Sequence, residues 1–182
     1  ILVEILPSKV GSLLSLNALR EDLEVAHKTV KTWMDILERF YYQFRIYPYA
    51  FTAIKSLRKE PKMYLWDWSQ VADEGARLEN MVASHLLKMA HFLHDAHGHK
   101  AELYFLRDIE GREVDFLVTV DRKPWLAIEV KSGKDDTSKP LAYFTAKLKI
   151  PFAYQLVRET GIDYWKKDIR VISADKFLSG LV

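Results

Sequence analysis

The chain has 182 residues, 49% hydrophobic and 29% charged, with only 7 Gly and 6 Pro, a composition that excludes disordered and fibrous chains and provides for a real core. It has no cysteine, which removes disulfide scaffolds, thiolate nucleophiles and cysteine-ligated zinc or iron–sulfur sites. The net charge of +2 is too small to argue for nucleic acid by itself, and the excess lies wholly in the residues up to Asp67.

The apolar opening, Ile1 to Leu16, is broken by Glu4, Pro7 and Lys9, too early for a membrane span or a signal sequence. The expectation is a soluble, cytoplasmic protein with no membrane partner. The Ile-Leu-Val start, with no initiator Met, reads as a fragment of a longer chain. Helical patterns follow at Ser8 to Leu14, with Val10, Leu13 and Leu14 on one side, and at Ala18 to Leu23, capped by Asn17. A longer helix is predicted from His27 to Phe40, where Val30, Trp33, Met34 and Leu37 make one apolar face. Two aromatic, β-prone runs come next, Tyr41 to Tyr47 and Met63 to Trp66, separated by a segment carrying Lys55, Arg58, Lys59 and Lys62. Three helices and a two-stranded wing describe a winged helix-turn-helix over residues 1–67. Lys28, Lys31 and the wing residues Lys55, Arg58, Lys59 and Lys62 are its natural phosphate contacts. Asp35 and Glu38 on the same helix oppose that use, and such modules also serve as protein-interaction units.

From Ser69 the pattern becomes mixed α/β. A long helix is predicted from Glu74 to Ala96, then strands at Glu102 to Arg107, Glu113 to Val120 and Trp125 to Lys131. After a polar Ser132 to Lys139 loop come a helix at Leu141 to Leu148, strands at Phe152 to Val157 and Ile169 to Ile172, and a terminal helix from Ala174. The order αβββαββα implies a sheet with helices on its faces over residues 69–182.

Chemistry concentrates on two of those strands. Strand alternation puts Glu129 and Lys131 on one face and Ile128 and Val130 on the other. On the preceding strand Val114, Phe116 and Val118 occupy one face and Asp115 the opposite one. Two carboxylates converging near adjacent strand ends repel unless a cation lies between them, and a hard oxygen site suits Mg²⁺ or Mn²⁺. Lys131 beside it would orient or deprotonate water, or stabilise charge developing on a phosphate. The same three residues also suit a surface ion-pair ladder with no chemical role.

Asp115 followed by Glu129-Val130-Lys131 resembles the signature of the PD-(D/E)xK phosphodiesterase superfamily, whose αβββαβ core has the element order above. The wider string is more specific: Gly75-Ala76-Arg77-Leu78-Glu79-Asn80, Tyr104-Phe105-Leu106-Arg107-Asp108, Gly111-Arg112-Glu113-Val114-Asp115-Phe116 and Ile128-Glu129-Val130-Lys131-Ser132. With the preceding Gly11 to Leu16 and Lys28-Thr29-Val30-Lys31, it resembles the C-terminal region of a large prokaryotic family of AAA-type P-loop ATPases, over nearly the whole chain. The resemblance implies a restriction-endonuclease-like domain behind the winged helix. It implies Asp115, Glu129 and the Val130 carbonyl as metal ligands for Mg or Mn, Glu79 as an assisting acid and Lys131 as the catalytic lysine. Val114 stands where the signature has Pro, which is not a ligand. No G-x-x-x-x-G-K-[ST] loop occurs, so no ATP site of that kind is expected; the missing ATPase domain of the same chain is the implied partner. The expected function is metal-dependent hydrolysis of nucleic-acid phosphodiesters. The alternative is a non-enzymatic nucleic-acid-binding or regulatory module of the ATPase.

Two other features compete. His91, His94, His97 and His99 lie near a helix end, where imidazoles bind zinc or simply suit the helix dipole. Trp66, Trp68, Tyr104 and Phe105 suit base stacking or ordinary packing.

Overall fold

The computed structural model describes residues 1–50, 60–133 and 137–181; it is mixed α/β and divides into two packing units. The described residues of Ile1–Tyr47 and Ile54–Ser84 form the first, and those of Pro48–Ala53 and His85–Val182 the second.

In the first unit the chain opens with α1 (Leu2–Ile5) and a 3-10 turn, Leu6–Lys9, rather than a helix from Ser8 to Leu14. Pro7 suits the first positions of that turn, and Gly11, at φ +74°, ends any helical continuation. Leu13 instead makes a β-bridge to Lys62, and Leu14 donates its N–H to the Pro61 carbonyl at 2.8 Å. The next helix, α2 (Leu16–Asp22), is capped by the Ser15 hydroxyl, not by Asn17. Helix α3 (His27–Arg39) buries Val30 and Met34 but leaves Trp33 40% exposed, so the apolar face is narrower than its spacing suggests. Strands β1 (Gln43–Pro48) and β2 (Lys62–Leu65) pair antiparallel, with Phe44 opposite Tyr64 and Ile46 opposite Lys62.

Helix α4 (Glu74–His97) begins at Asp73, whose carboxylate accepts from the Ala76 N–H at 2.8 Å. Its first half belongs to the first unit because buried Asn80 binds both backbone groups of Leu65, accepting from the N–H at 2.8 Å and donating to the carbonyl at 2.7 Å. One side chain thus meets both backbone groups of a buried strand end, with the Ser84 hydroxyl as a second, longer donor to the same carbonyl at 3.4 Å. By packing, the chain divides within α4.

The second unit strings its strands in the order β3-β4-β5-β6-β8-β7: β3 (Ala101–Arg107), β4 (Glu113–Val120), β5 (Lys123–Lys131), β6 (Phe152–Val157), β7 (Asp163–Lys166) and β8 (Ile169–Ser173). The first three form an antiparallel meander; α5 (Lys139–Leu148) then crosses over so that β6 runs parallel to β5, and β8 parallel to β6. Helix α6 (Ala174–Ser179) closes the chain. Leu141 and Phe144 of α5 pack on Leu117, Ala127, Ala153 and Ile169, which fixes the face of the sheet that α5 covers.

Two features depart from the expected pattern. Strand β7 was not foreseen: all four of its residues are exposed, so it carries no apolar alternation. Val114 joins the core cluster with Leu117 and Ala127 instead of sharing a face with Phe116 and Val118. The cause is a β-bulge. Tyr104 pairs with Leu117 but Leu106 pairs with Val114, so Asp115 and Phe116 together face the single residue Phe105.

Candidate functional site

The bulge sits on the residue that matters most. Strand pairing of β4 with β5 runs through Phe116 opposite Ile128, and Asp115 and Glu129 are the next residues outward on these adjacent strands. There the Asp115 side chain takes over from the backbone ladder: its Oδ2 accepts from the Val130 N–H at 2.8 Å. A bulge that re-aims a side chain at a strand end is a recurring way to build a site.

Glu129 is buried, with only 8% of its side chain accessible, and Lys131 Nζ lies 2.8 Å from its Oε1. Its Oε2 is buried without any hydrogen-bond partner. Burial first, and then the neighbouring Asp115 charge, push the Glu129 carboxyl up to about 7, against the pull of Lys131. A buried carboxylate oxygen with no donor, close enough to a second carboxylate to feel its charge, is the environment a divalent cation satisfies, so the residues present fit an Mg²⁺ or Mn²⁺ ion. Among the described residues, however, no group of three or more His, Asp or Glu side chains is placed to hold a metal. Asp115 and Glu129 are the acids that the strands bring together.

Sequence reasoning missed Gln155. It is the β6 partner of Glu129, it is fully buried, and its Oε1 accepts from the Ser138 N–H at 2.9 Å. Ser138 in turn caps α5 through the Leu141 N–H. Gln155 therefore anchors the start of α5 beside the carboxylates. A lone amide within the apolar Phe152–Val157 run was the available signal.

The other expected residues are placed as follows. Glu79 lies in the first unit, where Tyr64 donates its hydroxyl at 2.7 Å and Lys62 Nζ stands 3.5 Å away. The expectation that Lys62 touches phosphate fails, since it is buried on β2 and paired with Glu79. Lys28 and Lys31 are exposed on α3. On the same helix Asp35 and Glu38 are both engaged by Arg45 of β1, which raises the Arg45 pKa despite burial. Lys55, Arg58 and Lys59 lie outside the described residues. Arg107 pairs with Glu113 at 2.6 Å, and Arg112 with Asp108 at 2.7 Å and Glu110 at 2.8 Å.

Neither competing feature gathers into a site. The histidines are exposed at the end of α4, with His97 against the Phe92 ring and His99 on Asp121 at 3.2 Å. Trp66 packs on Phe44, Tyr104 on Tyr49, and Phe105 is fully buried.

Residues 74–177, more than half of the chain, match a family described as a domain of unknown function, DUF4143. The chain belongs to the DUF4143 family. That domain is typical of AAA-ATPase-associated proteins. Residues 2–72 match a second domain of unknown function, DUF8612. The boundary between the two matches falls at Asp73, the residue that caps α4, so the DUF4143 region takes in all of α4, the Asp115–Glu129 strands, Gln155 and α5. No curated protein and no solved structure matches the chain. No helix among the described residues is long and apolar enough to cross a membrane.

Proposed function

We propose that the DUF4143 region is a PD-(D/E)xK nuclease-like domain, preceded by a winged helix, in the C-terminal part of an AAA-type ATPase, and that it hydrolyses nucleic-acid phosphodiesters. The observation that carries this reading is the partnerless, buried Oε2 of Glu129 beside Asp115. Asp115, Glu129 and the Val130 carbonyl would hold Mg²⁺ or Mn²⁺. The cation, when bound, supplies Lewis-acid stabilisation of a phosphoryl oxygen. The chain's own residues do the rest. The Val130 N–H fixes the Asp115 carboxylate. Lys131 holds its ammonium against Glu129, where it would face negative charge growing on the phosphoryl oxygens as water adds to phosphorus and the P–O bond breaks, the departing sugar oxygen taking up a proton from water. Gln155 keeps the start of α5 in place beside them. Glu79, offered by the resemblance as an assisting acid, already has Lys62 and Tyr64 as partners, so the reading rests on the two strand carboxylates. Nucleic acid would also meet Lys28 and Lys31 on the winged helix.

The test is incubation of the purified chain with plasmid and single-stranded DNA in Mg²⁺ or Mn²⁺, alongside Glu129→Ala. Cleavage lost in the variant is expected; cleavage that persists unchanged places the active site elsewhere. A second reading is favoured by the Lys131–Glu129 pair and by the absence of a third acid among the described residues. In that reading the nuclease fold is a scaffold, and the region binds nucleic acid or regulates the ATPase without chemistry.

A further inference from the structure

A cleft of about 610 Å³ lies in the second unit between α5 and the turn that joins β7 to β8. Four lysines line it: Lys139 in the first turn of α5, Lys149 at its C-cap, and Lys166 and Lys167 at the β7–β8 turn. Asp168 is the one acid among the lining residues. Among the described residues Lys139, Lys149 and Lys167 have no acidic partner. The chain as a whole is near neutral, so this concentration of positive charge is local. Thr145, whose Oγ1 is buried and has no hydrogen-bond partner, stands in the same wall.

An aromatic ring flanks the charge. In the β7–β8 ladder Lys166 pairs with Ile169 and Tyr164 with Val171, so Tyr164 and Lys166 stand on the face that Ile169 presents to α5. Tyr164 is 44% exposed. A basic groove with an exposed aromatic beside it is the combination that holds single-stranded nucleic acid, the lysines following the backbone and the ring stacking an unpaired base. The placement adds a direction. Helix α5 starts at Ser138, which Gln155 ties to the strand position opposite Glu129, and it extends for about 15 Å at a helical rise. The cleft therefore begins at the carboxylate end of α5 and runs to its far end.

We propose that this cleft binds the sugar–phosphate backbone of a single-stranded nucleic acid, with Tyr164 stacking on a base, and leads the strand to the Asp115–Glu129 site. Delivery of the strand to that site rests on the nuclease reading; binding in the cleft does not.

The experiment is fluorescence anisotropy of a labelled single-stranded oligonucleotide with the full chain, in EDTA and at low salt, so that no cleavage intervenes. Wild type is expected to bind. Lys139→Glu with Lys167→Glu should weaken binding about tenfold or more and flatten its salt dependence. Tyr164→Ala should weaken it about tenfold with little change in salt dependence. Lys123→Glu, at a lysine that does not line the cleft, should bind as wild type does, and circular dichroism should show every variant folded. That pattern supports the cleft even where the chain cuts nothing in Mn²⁺, a result that would remove only the nuclease reading. Absence of wild-type binding, charge-reversal variants that bind normally, or polyglutamate competing as well as the oligonucleotide would each overturn the proposal.

Discussion

Each unit contains a Lys–Glu pair, Lys62 of β2 with Glu79 of α4 in the first and Lys131 with Glu129, both of β5, in the second, and the two pairs are in opposite electrostatic condition. In the first unit one acid, Glu79, meets both the Lys62 ammonium and the Tyr64 hydroxyl, with Lys62 only 4% accessible. In the second, Glu129 has Lys131 on one oxygen, nothing on the other, and a second carboxylate for a neighbour. In the first pair Glu79 meets two donors; in the second, one buried carboxylate oxygen lacks a donor and a second carboxylate stands beside it. A buried polar atom without a donor is costly to a fold, which is why it marks a site that takes a further ligand.

The largest effect that follows is on stability. Lys62→Ala leaves Glu79 without its ammonium and should cost about 3 kcal/mol or more in urea unfolding. Lys131→Ala, at a half-exposed lysine whose partner can take up a proton, should cost about 1 kcal/mol or less. Equal costs would erase the distinction between the pairs. A smaller effect is the pH dependence. The Glu129 carboxyl titrates near 7 in the folded chain against an ordinary value of 4.5, so between these values the native state binds more protons than the unfolded one. Without metal, stability should therefore fall as pH rises from about 4.5 through 7, and Glu129→Gln should remove that slope, as thermal melts across the range would show. Smallest is the contribution of α3. Lys28→Ala with Lys31→Ala should reduce a salt-dependent gel shift of duplex DNA only a few-fold, since Asp35 and Glu38 lie on the same helix.

The elements that alternate or repeat cleanly were legible in the sequence. Strand β4 occupies the span its alternation marks, and β5 and α4 differ only by a residue or two at their ends. The positions of Asp115 and Glu129 on adjacent strands followed from the same pattern. What was not legible depended on partners distant in sequence. The bulge at Asp115 is set by Phe105 on another strand, and local alternation carries no trace of it. Lys62 sits in a basic run that looks solvated, and only its pairing with Glu79 shows that it is buried. Strand β7 is recruited by the edge of β8 and not by apolar residues of its own; Arg170 and Lys176 hold its Asp163 carboxylate well below the usual range. Gln155 becomes informative only when β6 is laid beside β5.

Calorimetric titration of the chain with Mn²⁺ decides whether Asp115 and Glu129 form a divalent-cation site. Saturable binding near one ion per chain is predicted, lost in Asp115→Asn and in Glu129→Gln and retained in Lys28→Ala. No heat of binding at millimolar Mn²⁺, or binding unchanged by both carboxylate substitutions, would contradict it.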